Sequence, residues 1–225
     1  MFPIFKAGTL LRFHPLFRSI FLLGALLAFA WARPFVLSPD FVAAQKAPLA
    51  PAILKDYERF INEIASETSL HVTLQKVNLY LNAIVPLHDA NQYASEDYWA
   101  TRGEFLARGG GDCEDYAISK YYTLKDLGIS PSSMGLCVVH DRYSGVWHMV
   151  LAVQTPDSPT LVLDNLSFNI LPFSLRTDLR LEVCMNEEHT FSIDAQDRWN
   201  SLNPSPRFPS FIQMLERAKR ERIWK

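Results

Sequence analysis

The spacing of apolar residues changes near the middle of this 225-residue chain, and that change constrains the fold more than any other feature. Before Gly128, apolar residues recur every three to four positions over 54–64 and again over 70–84, as on the buried face of a helix. Later, short apolar and β-branched segments alternate with turn residues, which is typical of antiparallel strands: 136–140, 148–153, 160–164, 181–185 and 190–193. Helices followed by a meander predict an α+β domain.

Three consecutive glycines, residues 109–111, separate two further predicted helices. The first covers residues 101–108 and ends at the glycines, which break helices. The second follows Asp112, a suitable N-cap, and runs to about residue 127, just before Gly128. A basic amphipathic helix is predicted over residues 208–223.

The formal net charge of -2 is unevenly distributed. Basic residues occupy positions 6, 12, 18 and 33, and no acidic residue precedes Asp40. The near-neutral total argues against a general nucleic-acid binder, so no nucleic-acid partner is expected. The hydrophobic fraction of 48% excludes a disordered chain.

The basic leader precedes a 13-residue apolar run at residues 20–32, and the last residues of this run, Ala28-Phe29-Ala30 and Ala30-Trp31-Ala32, offer the small-x-small spacing of a cleavage site. This arrangement is typical of a secretory signal, and the run is short for a membrane span. We therefore expect a signal peptide or signal anchor over residues 1–32, a proline-rich linker over 33–51, and one domain over 52–225. A buried core helix is the alternative for the apolar run.

Three cysteines lie beyond this leader, so an exported chain would keep at least one outside an internal disulfide. Cys137 and Cys184 lie in apolar segments and are interpreted as small buried hydrophobes, with a disulfide between them as the alternative. Cys113 differs because it is preceded by glycines and surrounded by acids, at the first turn of a predicted helix. The helix N-terminus favours an anion there, so Cys113 is the candidate nucleophile.

A base and an orienting group are available on the predicted strands. His148 begins one strand and Asp164 ends the next, which would place them side by side in an antiparallel pair. Asp164 could then orient the His148 ring toward the thiol. Spacing alone leaves His140, beside Asp141, as a rival base, and leaves Asp164 a possible turn cap.

The residues around these positions resemble the bacterial transglutaminase-like cysteine proteinases, and within them the LapG-type periplasmic proteases. The resemblance rests on Gly-Gly-Gly-Asp112-Cys113-Glu114-Asp115-Tyr116-Ala117, with Asp97-Tyr98-Trp99-Ala100-Thr101, Trp147-His148-Met149-Val150-Leu151 and Leu163-Asp164-Asn165 around it. It implies a papain- or transglutaminase-like α+β fold, with N-terminal helices and the nucleophile helix packed on an antiparallel sheet. It also implies Cys113 as nucleophile, His148 rather than His140 as base, and Asp164 as orienting residue.

The resemblance further implies calcium beside the nucleophile, with Asp112, Glu114 and Asp115 as candidate ligands and the polar loop 89–97 completing the shell. Calcium binds several oxygen ligands at once. Three carboxylates beside a thiolate would raise its pKa unless a cation offset them. The alternative is that Asp112 only caps the helix and the acids complement its dipole.

The implied activity is that of a calcium-dependent periplasmic endopeptidase. Its substrate would be the N-terminal region of a large surface adhesin, whose cleavage controls biofilm detachment. An inner-membrane cyclic-di-GMP receptor would sequester the protease. Two other functions stay open on the same fold: transglutaminase-type acyl transfer, and a binding module without catalysis.

Overall fold

The computed structural model describes residues 49–88, 97–156, 158–203 and 208–221. The predicted signal and nearly all of the predicted linker therefore lie outside the described residues. Within the described part of the chain, no helix is both long and apolar enough to span a bilayer.

The described residues contain five α-helices, which form where the sequence pattern predicts them: α1 Ala50–Ile64, α2 Leu70–Asn82, α3 Arg102–Arg108, α4 Cys113–Asp126 and α5 Pro209–Glu221. Their starts have identifiable causes. The Ser69 hydroxyl accepts a hydrogen bond from the Val72 amide at 3.4 Å and caps α2. Thr101 and Glu104 form a capping box at α3. Helix α3 ends at Gly109, whose φ of 74° lies in the left-handed region.

Seven strands form one antiparallel sheet in the order β6-β5-β4-β3-β7-β8-β9. They are β3 Met134–Asp141, β4 Trp147–Val153, β5 Leu161–Asp164, β6 Ser167–Pro172, β7 Leu179–Met185, β8 Thr190–Ile193 and β9 Trp199–Ser201. The sequence pattern did not predict β6 and β9, which lie at the two edges of this sheet. Edge strands lack a second strand partner and can carry the polar residues that obscure the pattern.

Besides ending α3, the glycine run contributes a short strand. Strand β1, Val85–Pro86, pairs in parallel with strand β2, Gly110–Gly111. A Cβ at Gly110 would lie 2.3 Å from the Val85 carbonyl oxygen, so this close approach requires glycine. The pairing fixes the chain immediately before Cys113.

The buried apolar residues form two clusters. The first fills the space between the helices and one face of the sheet, where side chains of α1 to α5 meet residues such as Leu136 and Leu151. The second contains residues of the strands, among them Cys137, Val150 and Cys184. Helices packed on one antiparallel sheet confirm the α+β prediction.

Cys137 and Cys184 face each other across β3 and β7 and are joined by a disulfide that spans 47 residues of sequence. The disulfide alternative is therefore the one that the structure adopts. Cys113 remains as the thiol outside it.

Helix α5 holds the segment before α3 in place. Arg217 donates to the Trp99 carbonyl at 2.5 Å, and its guanidinium lies 4.2 Å from the centre of the Tyr98 ring. At the end of the helix, Glu221 is buried and accepts a hydrogen bond from the Thr101 hydroxyl. Helix α5 thus holds residues 98–101 in position.

We expect the double substitution Cys137→Ala/Cys184→Ala to lower the free energy of unfolding by about 2–4 kcal/mol, because the unfolded chain gains the freedom of an open loop. Guanidinium unfolding followed by circular dichroism measures this. Cys113→Ala is the matched control and should change the value by less than about 1 kcal/mol. Equal stability of the double variant and the native protein would contradict the prediction.

Glu221 should make stability depend on pH. Burial, opposed in part by the Thr101 hydroxyl, raises the pKa of Glu221 to about 7, whereas the unfolded value is about 4.3. Between these values the folded protein binds more protons, so its stability falls as pH rises through 7. Glu221→Gln should therefore be more stable than the native protein at pH 8 by about 1–3 kcal/mol, and equal to it at pH 4.

Thermal or guanidinium unfolding at both pH values measures this difference. Glu216→Gln, on the exposed side of the same helix, is the control and should show no such pH dependence. A Glu221→Gln protein that is no more stable than the native one at pH 8 would contradict the assignment.

Candidate active site

Cys113 is the first residue of α4 and directly follows β2. Its thiol donates a hydrogen bond to Glu114 Oε2, with 3.1 Å between the two atoms. The Met149 backbone amide on β4 lies beside the sulfur, where it favours the thiolate. The start of α4 therefore lies against β4 at the residue that follows His148.

His148 and Asp164 lie on neighbouring strands and are both buried. His148 Nε2 and Asp164 Oδ1 are 2.8 Å apart. This bond leaves Nδ1 as the ring nitrogen that Asp164 does not engage. The three residues singled out from the sequence thus come to one corner of the fold, where α4 begins and β5 ends.

His140, the alternative base, has different surroundings from those of His148. The His140 ring packs edge-on against Trp147, with ring centres 5.3 Å apart. Its neighbour Asp141 accepts backbone hydrogen bonds from Tyr143 and Ser144 in the β3–β4 turn. The structure therefore pairs His148, and not His140, with a carboxylate.

Several groups hold the Asp164 carboxylate in addition to His148. Oδ1 accepts from the Leu166 amide at 2.9 Å, and Oδ2 accepts from Arg176 Nη2 at 2.8 Å. Burial by itself raises the pKa of Asp164, but the hydrogen bonds from His148, Leu166 and Arg176 outweigh it and hold that pKa well below its usual range. Asp164 is therefore ionised at neutral pH.

Arg176 was not predicted from the sequence. It follows the short 3-10 helix Phe173–Leu175, and its guanidinium also pairs with Asp178 at 2.6 Å. No motif marks an arginine in a connecting segment as a partner of a carboxylate twelve residues earlier. Only the return of the chain past β5 brings it there.

The three acids around Cys113 have different surroundings. Asp115 is fully buried, and its Oδ1 accepts from the Ala100 amide at 2.7 Å. Its Oδ2 accepts from the Asp112 amide at 3.4 Å. A Cβ at Gly111 would lie 2.3 Å from that oxygen, which explains the glycine. Asp115 therefore ties the segment before α3 to the start of α4.

Asp112 and Glu114 face each other beside the thiol. Burial and the Glu114 carboxylate raise the pKa of Asp112 to about 8. Burial and Glu114 also raise the pKa of the Cys113 thiol. The two carboxyl groups and the thiol lie close together and half-buried, so ionisation of one disfavours ionisation of the others, and an added cation would relieve this repulsion.

The surroundings of the acids beside Cys113 indicate whether these acids could bind calcium. Asp112 Oδ1 is buried and has no hydrogen-bond partner among the described residues, as expected of an oxygen that a cation would take. The described residues contain no cluster of three or more acidic, histidine or cysteine side chains suited to a metal ion. Residues 89–96 of the predicted ligand loop lie outside the described part. The positions of Asp112 and Glu114 suit calcium, and ligation by Asp112, Glu114 and Asp115 stays a prediction.

Trp99 packs in the core. Its ring lies 6.1 Å from that of Phe211 on α5, and its indole N–H donates to Asp97 at 2.8 Å. Asp97 also accepts from the Ser210 hydroxyl at 3.0 Å. The last residue of the predicted ligand loop is therefore anchored to α5.

Solved structures of known proteins resemble this arrangement. Calcium-bound LapG from Legionella pneumophila is 30% identical in sequence, with a TM-score of 0.63, and the match covers 78% of this chain and 98% of that one. EGTA-treated LapG from the same organism is 26% identical, with a TM-score of 0.66, and the match covers 82% of this chain and 99% of that one. No curated protein matches this chain significantly in sequence.

The sequence profile of the bacterial transglutaminase-like cysteine proteinases matches residues 55–199. This range holds most of α1, all of α2 to α4 and strands β1 to β8, and it includes Cys113, His148 and Asp164. The chain belongs to the bacterial transglutaminase-like cysteine proteinases.

Proposed function

We propose that this protein is a calcium-dependent cysteine endopeptidase in which Cys113 is the nucleophile, His148 the general base and Asp164 the orienting carboxylate. The observation that carries the proposal is the 2.8 Å bond between His148 Nε2 and Asp164 Oδ1. Because Asp164 engages Nε2, the proposal gives the other ring nitrogen, Nδ1, the task of taking the thiol proton. The contact between Cys113 Sγ and the Met149 amide supports this, because Met149 is next to His148.

The reaction follows from these positions. His148 Nδ1 takes the proton of the Cys113 thiol, and the thiolate attacks the peptide carbonyl carbon. The imidazolium then gives its proton to the departing amine as the C–N bond breaks, which leaves a thioester. A water molecule, deprotonated by His148, hydrolyses the thioester and restores the thiol. The ionised Asp164 stabilises the imidazolium in both steps.

Calcium would be held by Asp112 and Glu114, with Asp115 and the loop that ends at Asp97 as further ligands. Its charge would stabilise the thiolate that Glu114 and burial disfavour. The unpartnered Asp112 oxygen supports this proposal, as do the calcium-bound and EGTA-treated forms in which the similar LapG is known.

We further propose the N-terminal region of a large surface adhesin as substrate. Cleavage there would control biofilm detachment, and an inner-membrane cyclic-di-GMP receptor would restrain the enzyme. The likeness to LapG supports both. Apolar side chains next to the active site in sequence, Trp147 and Leu166, are 61% and 71% exposed and are available to an extended peptide.

A periplasmic location is proposed on two grounds. The basic leader and apolar run resemble an export signal. The Cys137–Cys184 disulfide also suits an oxidising compartment.

We expect the purified protein with calcium to cut an adhesin N-terminal fragment into two discrete products. Cys113→Ala should abolish cleavage, and Asp164→Asn should lower kcat by about 10²–10⁴ because the ring loses its orientation. Gel electrophoresis and mass spectrometry of the products measure this. His140→Ala is the matched control for His148→Ala and should keep most of the activity.

Other products would point to other functions. Amine-crosslinked fragments that depend on Cys113 would favour acyl transfer. Binding of the fragment without turnover would favour a binding module. Cleavage that survives Cys113→Ala would contradict the proposal outright.

Calcium affinity is a separate expectation. Titration calorimetry on the inactive Cys113→Ala protein should show calcium binding, and adding Asp112→Asn should weaken the affinity at least about tenfold, because one charged ligand is lost. Asp194→Asn, a change in the turn after β8, is the control and should leave the affinity unchanged. An affinity that Asp112→Asn does not alter would contradict this ligand assignment.

A further inference from the structure

The end of helix α2 contacts the turn that follows the orienting carboxylate. Asn82 is the last residue of this helix. Its side-chain Nδ2 donates to the Asp164 backbone carbonyl at 2.8 Å and to the Ser167 carbonyl at 3.1 Å. Asp164 and Ser167 face each other across β5 and β6, at the two ends of the turn between these strands. One amide group therefore holds both ends of that turn.

Strand pairing alone does not fix the main chain of Asp164. In the described part of the β4–β5 ladder the last facing pair is Leu151 and Leu163, so Asp164 lies beyond it. The register of β5 and β6 also shifts between Val162 and Asp164. Such an irregularity locally disrupts the hydrogen bonds between two strands. The position of Asp164 therefore depends on contacts from outside the ladder, and Asn82 supplies one.

The chain that follows Asn82 contacts the segment that carries the nucleophile. Two residues later, the Ile84 carbonyl accepts a hydrogen bond from the Tyr116 hydroxyl on α4. Strand β1 comes next and pairs with β2, which lies just before Cys113. Residues 82–86 therefore connect two parts of the active site, namely the turn that holds Asp164 and the chain on both sides of Cys113.

The asparagine side chain at this position carries a cost. Among the described residues, Asn82 Oδ1 is buried and has no hydrogen-bond partner. The same holds for Oδ1 of Asn78, one helical turn earlier, whose Nδ2 donates to the Ser167 carbonyl at 3.0 Å. An apolar side chain of similar volume would avoid burying such an oxygen. The favourable part of each asparagine is therefore the donation to the turn, and only Asn82 donates to Asp164 itself.

We propose that Asn82 is a positioning residue of the active site, which holds the main chain of Asp164 in place relative to the segment that carries Cys113. Asp164 bonds the His148 ring through its carboxylate, so a shift of its main chain moves the ring relative to the thiol. A displacement of about 1 Å at a reacting group can cost about 10²-fold in rate. This inference rests on the proposed function, in which Asp164 orients His148.

The test is the rate at which iodoacetamide alkylates Cys113 at pH 7 with saturating calcium, which requires no substrate. Asn82→Leu keeps the volume of the side chain and removes both donated bonds. We expect it to lower the rate at least about tenfold, because the His148 ring leaves its productive position. Tyr80→Phe is the matched control on the same helix. It removes the hydrogen bond to Asp56, away from the site, and should leave the rate unchanged.

A double substitution separates positioning from a general structural role. In the Asp164→Asn protein the carboxylate that Asn82 positions is gone, so adding Asn82→Leu should change the alkylation rate by less than about twofold. A substitution that only loosened the fold would slow alkylation equally in both backgrounds. Circular dichroism checks that each variant is folded. Should Asn82→Leu fail to fold, Asn82→Ala removes the same donors without adding apolar atoms and carries the test.

Two results would overturn the proposal: alkylation of the Asn82→Leu protein at the native rate, or an equal loss of rate in the native and Asp164→Asn backgrounds. The proposed function fails separately, if His148→Ala leaves the rate at its native value. Slow alkylation in His148→Ala and Asp164→Asn, together with a native rate in Asn82→Leu, would reject the role of Asn82 alone.

Discussion

The buried carboxylate of Asp164 organises the corner of the fold on which the proposed chemistry depends. Its two oxygens accept hydrogen bonds from His148, from the Leu166 amide and from Arg176. A buried charge is tolerated only where such partners surround it. The partners come from β4, from the turn after β5 and from the segment before β7, so the carboxylate joins three parts of the sheet. Its bond to Nε2 leaves Nδ1 as the ring nitrogen that the proposed mechanism uses for Cys113.

Ionisation of the Cys113 thiol, in the other half of the site, is favoured by some neighbouring groups and disfavoured by others. A helix N-terminus and the Met149 amide favour a thiolate at Cys113, whereas burial and Glu114 disfavour it. Ionisation of Asp112 is disfavoured in the same way, because burial and Glu114 raise the pKa of its carboxyl group as well. A bound divalent cation would reverse the local balance without any change in the backbone. This is the physical reason to expect that activity depends on calcium.

Much of the fold could be predicted from the sequence, because local features determine it. The Asp112 cap, the glycine that ends α3 and the change of apolar spacing each act within a few residues. Pairing His148 with Asp164 was also predictable, since adjacent strands in an antiparallel meander meet end to start. Arg176 and the anchoring by α5 were not predicted. Their roles depend on long-range contacts and burial, for which a single sequence carries no spacing signal.

The central claim is that His148, oriented by Asp164, activates Cys113. The rate at which iodoacetamide alkylates Cys113 at pH 7, with saturating calcium and mass-spectrometric detection, tests it most directly, because alkylation reports the thiolate without any substrate. The account predicts rapid alkylation of the native protein. It predicts rates at least about tenfold lower in His148→Ala and Asp164→Asn, with His140→Ala unchanged. Equal rates in the native protein and in His148→Ala would contradict the account.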